Sequence, residues 1–233
     1  MNPARSILGL VLAGLALLGC ASPAPAQREP TAPEILDSAG SSMSRLTSFH
    51  FQLEVVNGTM PLGPSMVATS MEGDVVAPDR LQLSVKARMG NAPLALQVIA
   101  IGSRSFLTNP LNRQWQEASG SLVIPTLLDP DHGVGPTLRR MAAPERLGRE
   151  TIDGVESYHL RGKIPAESLA TLVGSREAAS SPVAVDLWVD GRDFLLRQAR
   201  LVGAILPEES ALLERSLKVS NFNKTISIKE PIP

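Results

Sequence analysis

A two-residue repeat of apolar side chains constrains the fold of this chain more than any other feature. Every second residue from 49 to 55 is apolar, and Asn57-Gly58, a common hairpin turn, follows. Residues 81, 83 and 85 repeat the pattern. Because successive side chains of a β-strand point to opposite faces, each such segment predicts a strand with one apolar and one polar face.

Similar segments fill most of the remaining chain. The segment 94–101 is apolar at both parities except for Gln97, which predicts a central strand covered on both faces. The chain shows neither a repeat of fixed period nor regular alternation of strands with helices, so we expect an α+β fold built on a large curved antiparallel sheet. The predicted strands are residues 49–55, 66–76, 80–86, 94–101, 104–108, 114–117, 146–151, 155–163, 183–189, 195–202, 213–222 and 225–229.

Three segments have the spacing of amphipathic helices. The first follows Glu34, the expected start of the folded domain. Pro136 and Pro165 each suit the first turn of a helix, and these two helices place Leu138 and Leu169 on their apolar faces. The apolar stripe of the first helix consists of Ile35, Leu36, Ala39, Met43 and Leu46.

The first twenty residues predict export and attachment to a membrane. A lone cation, Arg5, precedes an apolar run over residues 7–18, which at about 1.5 Å per residue is too short for a hydrocarbon core of about 30 Å. This pattern is typical of a secretory signal peptide, here residues 1–19. The sequence Leu17-Leu18-Gly19-Cys20 resembles the bacterial lipobox, so we expect cleavage before Cys20 and acylation of this cysteine. An ordinary signal peptide with an incidental cysteine is the alternative.

Residues 20–33 form the predicted tether between the acylated cysteine and a single domain at 34–233. Four prolines occur there among small and polar residues, and an extended proline-rich segment of this length spans about 40 Å. The expected location is the cell envelope, on the extracytoplasmic face of a membrane.

The formal net charge of −1 and the lack of a polybasic stretch give no basis for binding nucleic acid.

The sequence contains no motif for catalysis, for a metal or for a cofactor. His50, His132 and His159 lie far apart and lack the spacing of a metal site. A Gly-x-Ser-x-Gly elbow, a Ser-x-x-Lys pair and a phosphate-binding Gly-x-x-x-x-Gly-Lys loop are all absent. We therefore expect a protein that is not an enzyme. A hydrolase assembled from distant Ser, His and Asp residues is the catalytic alternative.

Six short motifs occur in a characteristic order: Ser48-Phe49-His50-Phe51, Glu72-Gly73-Asp74-Val75-Val76-Ala77-Pro78-Asp79-Arg80, Leu128-Asp129-Pro130-Asp131-His132-Gly133, Ile152-Asp153-Gly154-Val155, Leu187-Trp188-Val189-Asp190 and Ser220-Asn221-Phe222-Asn223. Their order and spacing resemble the LppX/LprA/LprF/LprG lipoproteins of actinobacterial envelopes. The similarity extends over nearly the whole predicted domain.

This resemblance implies a strongly bent antiparallel half-barrel with helices across its concave side. Between the two layers, such proteins hold acyl chains of lipids or glycolipids and help to move them across the envelope. The resemblance brings no catalytic residue and no metal. It leaves a second function open, in which the interior is filled and the lipoprotein binds another envelope protein, such as a transport protein.

Apolar residues make up 43% of the chain and aromatic residues only 3%, so aliphatic side chains must fill the interior. That composition suits both an acyl-chain cavity and a dry core, and the two-residue repeat serves both equally. For each candidate lining residue, both interpretations therefore stay open. The candidates are Phe51, Leu53, Val55, Leu81, Leu83, Val85, Leu96, Val98, Leu138, Leu169, Val185 and Leu187.

Overall fold

The computed structural model describes residues 28–118 and 127–231. The predicted signal peptide, Cys20 and residues 20–27 of the predicted tether lie outside the described residues. The described residues form twelve strands and three helices. The strands are β1 (Ser48–Asn57), β2 (Met60–Pro61), β3 (Met66–Val76), β4 (Arg80–Met89), β5 (Ala92–Ile101), β6 (Arg104–Thr108), β7 (Trp115–Glu117), β8 (Ala142–Ile152), β9 (Val155–Ile164), β10 (Val183–Asp190), β11 (Leu196–Val202) and β12 (Glu214–Ser220).

All twelve strands belong to one antiparallel sheet with the order β7-β6-β5-β4-β3-β1-β12-β11-β10-β9-β8, and β2 pairs with β3 beside this path. The sheet does not close, because β7 and β8 remain at its two edges within the described part of the chain. The helices are α1 (Ala32–Ser44), α2 (Val134–Arg139) and α3 (Ala166–Leu172). They pack on the concave face, so the predicted α+β half-barrel is confirmed.

Helix α1 begins at Ala32, two residues before the predicted start of the domain. Thr31 is its N-cap, and the backbone N–H of Thr31 donates to the Glu34 carboxylate at 2.7 Å, as in a capping box. This hydrogen bond is the main reason that the pKa of Glu34 lies below its usual value. Pro33 in the first turn fits the helix, because proline there gives up no intrahelical hydrogen bond.

Two glycines allow α2 to lie directly against α1. A Cβ atom added to Gly135 would lie 2.1 Å from the Ser44 hydroxyl oxygen and 2.5 Å from the Gly40 carbonyl oxygen. One added to Gly40 would lie 2.8 Å from the Gly135 carbonyl oxygen. Arg139 also donates to the Ser41 hydroxyl at 2.9 Å. These contacts fix α1 and α2 closely against each other.

The buried apolar residues form three clusters. The main cluster joins the inner faces of the helices to the concave faces of β9–β12 and to the ends of β1, β3, β4 and β5 nearest the helices. The convex cluster consists of Ile99, Phe106 and Ile228 on the opposite face of the sheet. The distal cluster lies where β1 ends and β3 begins, at what we call the distal end of the sheet, and consists of Met60, Ala68, Val85, Ala87 and Leu213.

Two sequence-based predictions are wrong. Residues 225–229 are not a strand. The Arg80 side chain donates to the Ile228 carbonyl oxygen at 2.8 Å and the Ser48 hydroxyl donates to the Lys224 carbonyl oxygen at 2.7 Å, so side chains fix this tail in place of a strand ladder. The segment 94–101 is covered on both faces only at Ile99 and Ala100, because the tail covers the convex face there.

Residues 32–228 form the twelve-stranded sheet, the three helices and the three apolar clusters that the structure describes. We therefore expect this part of the chain to fold on its own. Among the helices described, none has the length and apolar character that a bilayer span would require.

Candidate lipid-binding site

The two-residue repeats of four neighbouring strands align into apolar rows on the concave face. In one row, Leu53 on β1 lies opposite Met71 on β3, which lies opposite Val85 on β4, which lies opposite Leu96 on β5. Residues two positions away on each strand share this face and form the neighbouring rows. The pairing register therefore gathers apolar side chains that are far apart in sequence.

No helix residue described by the structure belongs to the distal cluster beneath these rows, whereas all three helices contribute to the main cluster. As a result, the apolar side chains around Val85 are only half-buried. We call this half-buried surface the open apolar face. It consists of Leu53, Val55, Met71, Leu83, Leu94 and Leu96.

The structure divides the twelve candidate lining residues into two sets. Leu53, Val55, Leu83, Val85 and Leu96 lie at the distal cluster, and Leu83 also packs against the main cluster. Val98 is half-buried and lies opposite Leu83 in the register. The other six lie at the main cluster, where all except the half-buried Phe51 are buried: Phe51, Leu81, Leu138, Leu169, Val185 and Leu187.

Because of a β-bulge in β3, alternation in the sequence does not show that Met71 lies on the same face as Met66 and Ala68. Met66 and Ala68 have even numbers, but Met71 and Gly73 on the same strand face the same side with odd numbers. The pairing of β3 with β4 shifts between Ala68 and Ser70, and the extra residue reverses the alternation. The only signal in the sequence is this change of parity within 66–76.

A depression of about 190 Å³ lies across β1, β3, β4 and β5. Its walls include Leu53, Met71, Val85 and Leu96, together with polar residues that alternate with them. Pockets that enclose small ligands commonly measure about 300–1,000 Å³. In the part of the chain described, this site is therefore a shallow surface, and the space beneath the helices is occupied by side chains of the main cluster.

One buried ion pair borders the open apolar face. Arg215 lies opposite Val55 on β12, and its side chain is only 2% exposed. Its guanidinium contacts the Glu209 carboxylate and donates to the Gly203 carbonyl oxygen at 3.1 Å. The second oxygen of Glu209 accepts the backbone N–H of Ile205 at 2.7 Å. The two charges thus compensate each other and fix the loop before β12.

A polar network occupies the convex face of β8–β10, away from these rows. His159 contacts Glu150 at 2.7 Å and Asp186 at 3.0 Å, and its ring stacks on Trp188 at 4.6 Å between centroids. The Trp188 N–H donates a hydrogen bond to the Glu150 carboxylate. Together with the hydrogen bond from His159, it holds the pKa of Glu150 below its usual value. Burial raises the pKa of Asp186, but hydrogen bonds from His159 and Arg161 outweigh burial and lower it.

This network has the character of a structural element, because each carboxylate is engaged by cationic or N–H donors. Within residues 28–118 and 127–231, no group of three His, Cys, Asp or Glu side chains could hold a metal ion.

Comparison with known proteins identifies a relative by sequence and two by structure. The lipoarabinomannan carrier protein LprG of Mycobacterium tuberculosis (strain ATCC 25618 / H37Rv) is 26% identical over 177 residues, which cover 74% of this chain and 72% of LprG. The crystal structure of LprF from Mycobacterium bovis superimposes with a TM-score of 0.68 at 18% identity, over 87% of this chain and 97% of LprF.

The crystal structure of the lipoprotein LppX from Mycobacterium tuberculosis superimposes with a TM-score of 0.60 at 19% identity, over 85% of this chain and 98% of LppX. At these identities, the two structures show a shared fold. The model of the LppX_LprAFG lipoprotein family matches residues 31–228, which is most of the chain. The half-barrel therefore belongs to a member of the LppX_LprAFG lipoprotein family.

Proposed function

We propose that this protein binds the acyl chains of lipids or glycolipids on its open apolar face and transfers or presents them in the cell envelope. Acylated Cys20 would hold it on the extracytoplasmic face of a membrane. The observation that carries this proposal is the half-buried state of aliphatic side chains on the part of the concave face that the described helices leave uncovered.

Hydrocarbon is the ligand chemistry that these side chains fit. Leu53, Met71, Val85 and Leu96 form a continuous apolar row across four strands, which at about 4.8 Å per strand is about 14 Å wide. A sixteen-carbon acyl chain has about fifteen methylenes, and exposing them to water costs about 12 kcal/mol. An acyl chain that lies on this row avoids part of that cost and also covers the half-buried side chains.

The relatives support the same class of ligand. LprG is named as a lipoarabinomannan carrier protein. With 26% identity, we extend to this chain only the general class of acylated lipids and glycolipids. No covalent step is needed for such a role, because the protein only has to solvate the chain and release it.

Native mass spectrometry tests the proposal. The chain from residue 20 onward, with Cys20→Ser to prevent acylation, is purified from an actinobacterial host under gentle conditions. We expect a protein mass plus one or more lipid masses that organic solvent removes. A single protein mass, with no extractable lipid, would contradict the proposal.

A charged substitution on the open apolar face supplies a matched comparison. Leu96→Glu places a carboxylate on the row and should abolish the lipid adduct. Leu147→Glu makes the same change on edge strand β8, at a leucine that is 40% exposed, and should leave the adduct unchanged. Equal lipid content in the two variants would exclude the open apolar face as the site.

The packed main cluster favours the alternative, in which the domain binds another envelope protein. Val185 and Leu187 lie fully buried beneath the helices, as in a filled core. Crosslinking in cells distinguishes the two functions. Stoichiometric capture of one protein, together with lipid-free mass spectra, would establish the interaction module.

A further inference from the structure

Three uncharged segments meet at the distal end of the sheet. Residues 55–71 and 89–103 contain no Asp, Glu, Lys, Arg or His, and neither does the short segment 210–213, although the chain as a whole is 19% charged. The three segments meet at this end, because Met66 lies opposite Met89 and Asn57 lies opposite Glu214. One end of the molecule therefore presents no ionic group from these segments.

Large apolar side chains are exposed at the same end. Val56 is 57% exposed, Met89 is 47% exposed and Leu212 is 72% exposed. These are three of the six large exposed apolar side chains among the described residues. We call Val56, Met89 and Leu212 the apolar rim. Half-buried Leu62 and Met66 lie between them along the chain.

The apolar rim adjoins the open apolar face at Met89. Val56 lies at the register shift between Val55, a member of that face, and Asn57. Met89 has the parity of Val85 on β4 and therefore lies on the concave side. Leu212 directly precedes Leu213, which is fully buried in the distal cluster. An acyl chain that lies on the open apolar face therefore reaches Met89 of the rim without crossing a charged side chain of these segments.

We infer that the apolar rim docks onto the surface of a lipid bilayer and places the open apolar face in direct contact with it. This inference rests on the proposed function, since a carrier gains from meeting the membrane where its ligand resides. Protein interfaces surround an apolar centre with a polar rim, whereas here the outermost residues are apolar and their segments uncharged. An uncharged rim fits the hydrocarbon boundary of a neutral bilayer.

The charged residues nearest the rim include Lys86, Arg88, Glu214 and Arg215, and Glu214 pairs with Arg200 at 2.7 Å. Lys86 and Arg88 have the opposite parity to Met89 on β4 and so point to the convex face. Arg215 is buried against Glu209. The attachment therefore depends on apolar contact, and neither salt nor the content of anionic lipid should control it.

Vesicle sedimentation tests the inference with the chain from residue 20 onward carrying Cys20→Ser. We expect sedimentation with vesicles of pure phosphatidylcholine, with equal amounts bound in low and in high salt. Leu212→Asp and Met89→Asp should each reduce the partition coefficient about tenfold, the factor that corresponds to losing the burial of one large apolar side chain. Leu147→Asp, on edge strand β8, should bind as the unchanged chain does.

Several results would overturn docking onto a bilayer. One is no sedimentation with phosphatidylcholine; another is equal binding by Leu212→Asp and the unchanged chain. Binding only to anionic vesicles in low salt would show adsorption by charge. Capture of a protein through the rim, without vesicle binding, would assign the rim to a protein partner. Native mass spectra of Leu212→Asp separate the two proposals, because retained lipid supports the open apolar face whatever the rim does.

Discussion

Leu53 and Met71 lie directly opposite each other on β1 and β3, on the part of the concave face that the described helices leave uncovered. Both side chains are half-buried, whereas Val185 and Leu187 on the other half of the same face are fully buried. One apolar face thus serves two purposes in one sheet. The helix-covered half forms the core, and the other half exposes the surface that we propose for acyl chains.

A tryptophan scan should distinguish the two halves. Leu83→Trp adds bulk at a half-buried position of the open apolar face, so it should reduce lipid uptake while unfolding stays cooperative. Val185→Trp adds the same kind of bulk to the fully packed main cluster and should lower the free energy of unfolding by about 1–3 kcal/mol. Urea unfolding and lipid content measured on both variants check this. Loss of stability by Leu83→Trp alone would reverse the assignment.

The contact between α1 and α2 should tolerate no added methyl group. Gly135→Ala places a Cβ atom 2.5 Å from the Gly40 carbonyl oxygen, and this backbone atom cannot rotate away. We expect the free energy of unfolding to fall by about 1–3 kcal/mol. Thermal and urea unfolding measure the change.

Ser38→Ala on α1 is the control, because its effect should stay within about 0.5 kcal/mol. If Gly135→Ala matched that control, the two helices would be further apart than described.

The sequence pattern predicts the strands better than it predicts their faces. The parity of β1 is constant up to Val55 and that of β4 is constant throughout, so alternation groups Leu53 and Val85 with the apolar side chains of their strands, which lie on the concave face. The parity of β3 reverses at the bulge after Ala68, and alternation alone does not reveal a bulge. The position of the open apolar face could not be predicted either, because it depends on how far the helices extend over the sheet.

The wrong prediction at 225–229 has a related cause. Ile226 and Ile228 alternate with polar residues as they would in a strand; Ile228 belongs to the convex cluster and Ile226 packs against it. Alternation reports that one side of an extended segment is buried. It does not report whether the backbone of that segment pairs with a neighbour, and here the Arg80 side chain bonds to it instead.

Acid should weaken the polar network around Asp186 on the convex face of β8–β10. The pKa of Asp186 in the folded protein lies below its usual value because hydrogen bonds from His159 and Arg161 outweigh its burial. A carboxyl whose pKa is lower in the folded than in the unfolded protein stabilises the fold at pH values above its pKa in the unfolded chain, which is about 3.9. This stabilisation is lost as the pH falls through the pKa of the carboxyl in the folded protein. Urea unfolding from pH 6 to pH 2.5 should therefore show a decline.

Asp186→Asn should be less stable near neutral pH by about 1–3 kcal/mol and should show a shallower acid decline than the unchanged protein. Parallel acid profiles for the two chains would contradict the role of this carboxylate.

The Arg215–Glu209 pair should show strong coupling. Glu209→Ala leaves the buried guanidinium of Arg215 without its counter-charge, so it should cost about 3–5 kcal/mol of unfolding free energy. The double variant Glu209→Ala/Arg215→Met removes both charges and should recover part of that loss. A double-mutant cycle in urea measures the coupling, and a value below about 0.5 kcal/mol would show that the two charges act independently.

Methyl NMR of the lipid-loaded protein tests the central claim most directly. The chain from residue 20 onward, with Cys20→Ser and labelled Leu, Val and Met methyl groups, is examined for contacts with the acyl protons of its bound lipid. We predict nuclear Overhauser effects to Leu53, Met71 and Leu96 on the open apolar face, and none to Val185 or Leu187. Contacts to Val185 and Leu187 without any to Met71 or Leu96 would contradict the account.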